Sequence, residues 1–98
     1  MEISELQRIA WETAEEKGFH EARDDDPITA LALIHSEVTE ALESIRKSDT
    51  DPLGEELADI VIRVADLAEC EEIDLQEEVK LKTEENKSRP ELHGGKQF

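Results

Sequence analysis

Apolar residues recur every three or four positions along most of this chain, which is the spacing that places side chains on one face of an α-helix. The longest of these stripes comprise Leu31, Ile34, Val38, Leu42 and Ile45, and then Leu53, Leu57, Ile60, Val61, Val64, Leu67 and Ala68. No segment shows a convincing strand pattern. The spacing therefore predicts an all-α fold.

Local start and stop signals divide this pattern into four helices. Aspartate before proline caps free backbone amides, a capping box does the same, and glycine suits the left-handed residue that ends a helix. Such signals occur at Gly18, Asp26-Pro27, Asp51-Pro52 and Asp74-x-x-Glu77. The predicted helices cover about 3–17 and 27–47, then a third helix that the segment 48–52 opens and that reaches about 70, and a fourth over about 74–87.

The supply of core is small, because only 37% of the 98 residues are hydrophobic while 39% are charged. The length suits a single domain over 1–98, with 89–98 as an irregular C-terminal tail. A chain this short buries a modest fraction of its surface. We therefore expect a four-helix bundle that self-associates as a homodimer or as a homotetramer built from two dimers.

The net charge of −16 is unevenly distributed along the chain. Residues 1–79 contain 6 Lys/Arg and 24 Asp/Glu, whereas residues 80–98 contain 5 and 3. Nucleic acids and anionic membranes bind cationic surfaces, so we expect neither as a partner. An anionic small substrate remains possible if metal ions or the basic tail supply positive charge. The acidity also suits a high-salt host.

Cysteine content and hydropathy indicate the cellular compartment that we expect for this protein. A single cysteine, Cys70, excludes an intramolecular disulfide. No apolar run approaches the roughly 20 residues of a membrane helix, and no signal peptide is recognisable. We expect a soluble, cytoplasmic protein.

Two carboxylate pairs border the apolar stripes of the second and third helices. Glu37 and Glu40 are three residues apart, as are Glu56 and Asp59. A short loop joins these helices, so they are expected to pack antiparallel and to bring the pairs together. Four oxygen donors without histidine favour a hard cation, Mg²⁺ or Mn²⁺. From spacing alone, a solvated acidic face is an equal alternative.

The sequences HSEVTEALESIRK and GEELADIVIRVADLAECEEIDL resemble the MazG-like, all-α nucleoside triphosphate pyrophosphohydrolases. Members typically carry Glu-Glu-x-x-Glu, a spacer, and then Glu-x-x-Asp. The tail, with Asn86-x-x-Arg89-Pro90, is also similar to that of short members. One departure is Ser36, which stands where many members have the first Glu of the opening pair.

The resemblance implies a MazG-like helical bundle that hydrolyses a nucleoside or deoxynucleoside triphosphate to the monophosphate and pyrophosphate with Mg²⁺. It implies Glu37, Glu40, Glu56 and Asp59 as metal ligands. A carboxylate can accept a proton from the attacking water. Either Glu37 or Glu40 is the candidate for that catalytic role.

Other residues are candidates for contact with substrate. Lys82, Asn86 and Arg89 share a helix face and could bind phosphate oxygens, or they form an ordinary solvated helix end.

Trp11 could stack on a base or pack in the core. His20 could bond a base edge or lie exposed in a loop. Arg63 could reach phosphate or pair with Asp59 or Asp66.

Two rival functions remain open. One is a non-catalytic acidic helical protein that binds a partner through its apolar faces. The other is a divalent-cation binder without catalysis.

Overall fold

The structure of the chain, a computed structural model, describes residues 1–47 and 53–89. Within these ranges it contains helices only: α1 (Ile3–Glu16), α2 (Phe19–Ala22), α3 (Pro27–Arg46), α4 (Leu53–Cys70) and α5 (Leu75–Lys87). The predicted all-α class is confirmed. The one-turn helix α2 lies in the segment that was predicted as a linker, so the number of helices exceeds the prediction by one.

The helix ends follow the predicted capping chemistry. The Ile28 amide donates to Asp26 Oδ1 at 3.1 Å, and the Glu77 amide donates to Asp74 Oδ1 at 3.1 Å. Gly18 adopts the left-handed conformation, with φ 75°, between α1 and α2. The predicted cap at 51–52 and most of the predicted tail lie outside the described residues.

Helix α4 contacts both α1 and α3, and α1 also contacts α2 and α5. The buried apolar residues are all alanines: Ala10, Ala14, Ala30, Ala41, Ala65 and Ala68. Small side chains let helices approach closely, but each buries little area. No large side chain in the described ranges is fully buried. A single copy therefore has a thin core.

The apolar stripe of α3 stays largely open in one copy of the chain. Leu31, Val38, Leu42 and Ile45 are each between 47% and 58% exposed. Val79 on α5 is likewise 42% exposed. Hydrogen bonds join the start of α5 to α1, at Leu75 and Gln76.

None of the helices described here is long and apolar enough to cross a membrane.

Candidate functional site

Three carboxylates from two helices converge on one point. Glu37 comes from α3, and Glu56 and Asp59 come from successive turns of α4. One oxygen of each lies within 4.8 Å of those of the other two. Converging negative charges repel one another, so this group, the acidic group, favours a bound cation. All its donors are carboxylate oxygens, which fit a hard cation such as Mg²⁺ or Mn²⁺.

Glu40 does not join the acidic group in this structure. It lies one turn beyond Glu37 on α3 and is exposed. Sequence spacing cannot distinguish the two, because residues three apart on a helix both border the same face. The crossing of α3 and α4 selects Glu37. A ligand role for Glu40 stays a prediction.

Arg63 bonds to the acidic group across the helix pair. Its Nη2 lies 3.0 Å from Glu37 Oε1. Of the two alternatives for Arg63, the structure shows an ion pair, but with Glu37 rather than with Asp59 or Asp66. Asp66 bonds instead to His20 and Arg23. Arg63 thus fixes Glu37 and places a positive charge beside the converging carboxylates. Contact of Arg63 with phosphate stays a prediction.

A pocket of about 230 Å³ opens beside these residues. It is lined by parts of four helices and the turn after α2: Ala10, Thr13, Ala14, Phe19, Arg23, Glu37, Asp59, Ile62, Arg63 and Asp66. Asp59 and Asp66 are seven residues apart on α4, so they share a face about 10 Å apart along its axis. Glu37 and Asp59 thus belong both to the acidic group and to the pocket wall.

A second polar cluster, the Asp66 network, comprises Glu15, His20, Arg23 and Asp66. His20 Nε2 lies 2.7 Å from Asp66 Oδ1, and its Nδ1 bonds to Glu15. Arg23 Nη2 donates to Asp66 Oδ2 at 2.7 Å. Burial lowers the pKa of His20, but its hydrogen bonds with Glu15 and Asp66 raise the pKa above the usual value. Because both ring nitrogens of His20 bond to carboxylate oxygens, which only accept, the network pairs the His20 imidazolium and the Arg23 guanidinium with two carboxylates.

His20 and Trp11 lie against each other, a contact that the sequence analysis did not predict. His20 is buried rather than exposed in a loop, because both ring nitrogens bond to carboxylates. Trp11 is half-buried against it, with ring centroids 5.3 Å apart. Neither residue lines the pocket. Their proposed contacts with a base stay predictions.

His20, Asp25 and Cys70 also bring donor atoms within 4.8 Å of one another. A metal there is disfavoured, because the Arg23 guanidinium donates to Cys70 Sγ at 3.7 Å and already supplies the positive charge. Burial and the Asp66 carboxylate raise the pKa of the Cys70 thiol. The thiol is thus protonated, which makes it a poor ligand and a poor nucleophile.

Lys82 on α5 and Arg89, two residues beyond the end of α5, do not line this pocket within their own chain. Lys82 Nζ and Arg89 Nη2 both pair with Glu85, at 3.3 Å and 2.6 Å. Asn86 lies between them in sequence and is exposed. Their phosphate-binding role stays a prediction.

Arg23 and Asp66 line the pocket, although the sequence analysis predicted a binding role for neither residue. Asp66 follows Asp59 by seven residues, and this same-face spacing was the signal available. Arg23 lies just after α2, 43 residues before Asp66, and no local pattern connects the two.

Comparison with known families identifies the family of this chain. The model of the MazG nucleotide pyrophosphohydrolase domain matches residues 25–92, more than two thirds of the chain. The match includes the acidic group and α3 to α5, and it leaves α1 and α2 outside. No curated protein and no solved structure matches significantly. The extent of the family match shows that the chain belongs to the MazG nucleotide pyrophosphohydrolase family.

Proposed function

We propose that this protein is a Mg²⁺-dependent nucleotide pyrophosphohydrolase. It converts a nucleoside or deoxynucleoside triphosphate to the monophosphate and pyrophosphate, as a housekeeping removal of unwanted nucleotides. The observation that supports this most is the convergence of Glu37, Glu56 and Asp59 beside a pocket, in a chain of this family.

The acidic group would hold the metal, with Mn²⁺ as a substitute for Mg²⁺ and Glu40 as a further ligand. Bound there, the metal supplies charge neutralisation for the triphosphate and a more acidic water. Such a role fits the all-oxygen donor set. It also explains why an acidic protein would bind a highly anionic substrate.

The chain's own side chains position the reaction. Glu37 or Glu40 accepts the proton of the attacking water, whose oxygen bonds to the α-phosphorus as the bond to the pyrophosphate leaving group breaks. Arg63, already beside Glu37, is in place to donate to phosphate oxygens. Its planar guanidinium can do so while it keeps one bond to Glu37.

The test is release of pyrophosphate, screened over the standard NTPs and dNTPs with Mg²⁺. We expect release with at least one nucleotide, loss of it in EDTA, and recovery on adding Mg²⁺. Stabilisation by Mg²⁺ without hydrolysis would favour the cation-binder alternative. Neither hydrolysis nor a response to Mg²⁺ would favour the interaction-protein alternative.

A homodimer or homotetramer is proposed as the active form. The exposed α3 stripe of Leu31, Val38, Leu42 and Ile45 supports this, because a second copy would bury it. Light scattering should show the oligomer at micromolar concentration. Leu42→Arg should dissociate it, whereas Ile9→Arg, at the 38% exposed Ile9 on α1, should not. A stable folded wild-type monomer would contradict the proposal.

Assembly into an oligomer would also bring polar residues on α5 and just beyond its end to the phosphates of a bound nucleotide. We place Lys82, Asn86 and Arg89 at the pocket of a second copy, because they do not line their own. Mixing inactive Glu56→Gln and Arg89→Gln chains should then restore activity, since a mixed dimer contains one intact site. Mixtures that stay inactive after subunit exchange would contradict this arrangement.

A further inference from the structure

The pocket has polar groups at two positions, and the distance between these positions suits the distance between the phosphates and the base of a nucleotide. The acidic group and Arg63 lie near Asp59, while Arg23 meets the pocket at Asp66, two helical turns away. Seven residues of helix span about 10 Å, which is comparable to the distance between the α-phosphate and the far edge of a base. A triphosphate at the acidic group would therefore direct its base toward Arg23.

The rest of the pocket wall is apolar except for one hydroxyl, and it comprises Ala10, Thr13, Ala14, Phe19 and Ile62. Ala10 and Ala14 contribute methyl groups from α1, and Phe19, which is 54% exposed, contributes an aromatic ring. Such a wall accepts a flat base through apolar contact or stacking. The Thr13 hydroxyl can donate or accept, so it does not distinguish an oxo group from an amino group, and discrimination depends on the charged polar group at the base end.

That polar group is the guanidinium of Arg23. Its Nη2 donates to Asp66 and to Cys70, while its Nε and Nη1 donate to none of the residues in 1–47 and 53–89. Both oxygens of Asp66 already accept hydrogen bonds, from His20 and from Arg23. A guanidinium only donates, and the bond to Asp66 holds its plane in a fixed orientation. The pocket therefore presents hydrogen-bond donors to a base.

We infer that Arg23 is a specificity-determining residue that selects nucleotides whose base carries an oxo group, such as uracil, thymine, guanine or hypoxanthine, over those with an amino group at that position. An oxo oxygen accepts from the guanidinium. The amino group of adenine or cytosine presents donors at the same place, so donor would meet donor. This inference rests on the proposed function, because it needs the triphosphate at the acidic group.

Matched nucleotide pairs test it directly. ITP and ATP differ at the purine 6-position as oxo and amino, and UTP and CTP differ likewise at the pyrimidine 4-position. For the wild type we expect kcat/KM to favour the oxo member of at least one pair by roughly 10- to 100-fold, the range of one good base contact. The ratio within a pair does not depend on the fraction of active protein.

Two variants locate the source of the preference. Arg23→Gln removes the charge, and Arg23→Lys keeps a charge for Asp66 but lacks the planar fork. Arg23→Gln should bring the ratio to within about threefold of unity, because its amide can both donate and accept, whereas Arg23→Lys, which can still only donate, should keep part of the preference. Arg8→Gln, on the exposed side of α1 where Arg8 pairs with Glu12, should leave the ratio unchanged.

The outcomes separate this inference from the proposed function. Hydrolysis with no oxo preference, or with a preference that survives Arg23→Gln in full, would overturn the inference and leave the proposed function standing. Hydrolysis of no nucleotide would overturn both. An amino preference lost in Arg23→Gln would also overturn the inference, because it would assign recognition to Asp66.

Discussion

Two polar clusters lie two turns apart on α4, and they differ in whether their charges are alike or are paired with opposite charges. In the acidic group three like charges converge at half-buried and exposed positions. In the Asp66 network two carboxylates meet two cations, and His20 and Asp66 are only 3% and 4% exposed. Charges can be buried when they are paired and hydrogen-bonded, whereas converging like charges stay near solvent or bind an ion. The comparison favours cation binding for the first cluster, and for the second a supporting role in which Asp66 holds Arg23 at the pocket wall.

The largest expected effect concerns turnover at the acidic group. Glu56→Gln and Asp59→Asn keep shape but remove a negative charge from the metal shell, and each should cost on the order of 100-fold in turnover. Pyrophosphate release measures this, with circular dichroism to verify folding. Glu12→Gln and Glu71→Gln, at exposed sites, should change turnover by less than about threefold. Near-normal release from both Glu56→Gln and Asp59→Asn would refute the assignment.

The next effect concerns stability at the Asp66 network. Asp66→Ala leaves Arg23 and His20 without their shared acceptor and should lower the free energy of unfolding by about 3 kcal/mol. Urea unfolding at fixed protein concentration measures it. Asp59→Ala is the matched control, and without metal it should be neutral or stabilising because repulsion is relieved. Equal losses for the two variants would remove the distinction between the clusters.

A smaller effect is expected from Mg²⁺ on the wild type. Binding to the folded state alone should stabilise it by roughly 1–3 kcal/mol at millimolar Mg²⁺. Melting curves at constant ionic strength should therefore shift upward. The double variant Glu56→Gln/Asp59→Asn should lose the shift and melt above the wild type when metal is absent. A melting temperature indifferent to Mg²⁺ would count against a metal site.

The smallest effect is the pH dependence from His20. Its pKa is raised in the folded state, so its stabilising contribution is complete below the unfolded pKa, about 6.5, and is lost as pH rises through the folded pKa. Unfolding free energies should fall as pH rises above about 6.5. His20→Gln should flatten this slope, while His35→Gln, at an exposed site, should keep it. A slope unchanged by His20→Gln would mean that other groups cause it.

The raised pKa of Cys70 does not affect this measurement of unfolding free energy against pH. Because folding raises the pKa of this thiol, the thiol lowers the stability of the folded protein only above the pKa that it has in the unfolded chain, about 8.5. Unfolding between about pH 6.5 and 8 therefore isolates the histidine contribution.

Much of the fold was predictable because its causes are local. Asp26 before Pro27, Gly18 after α1 and Asp74 before α5 act within a few residues, and the structure places helix ends there. The helix α2 was missed because four residues, Phe19–Ala22, are too few to show periodicity.

By itself the sequence determined the helices, the carboxylate pairs and the family to which they belong. The tertiary structure alone decided that Glu37 joins Glu56 and Asp59 while Glu40 does not, and that Arg63 pairs with Glu37. It also decided the contact between Arg23 and Asp66, 43 residues apart. Helical periodicity fixes which face a residue borders, but the crossing of two helices fixes which side chains on those faces meet.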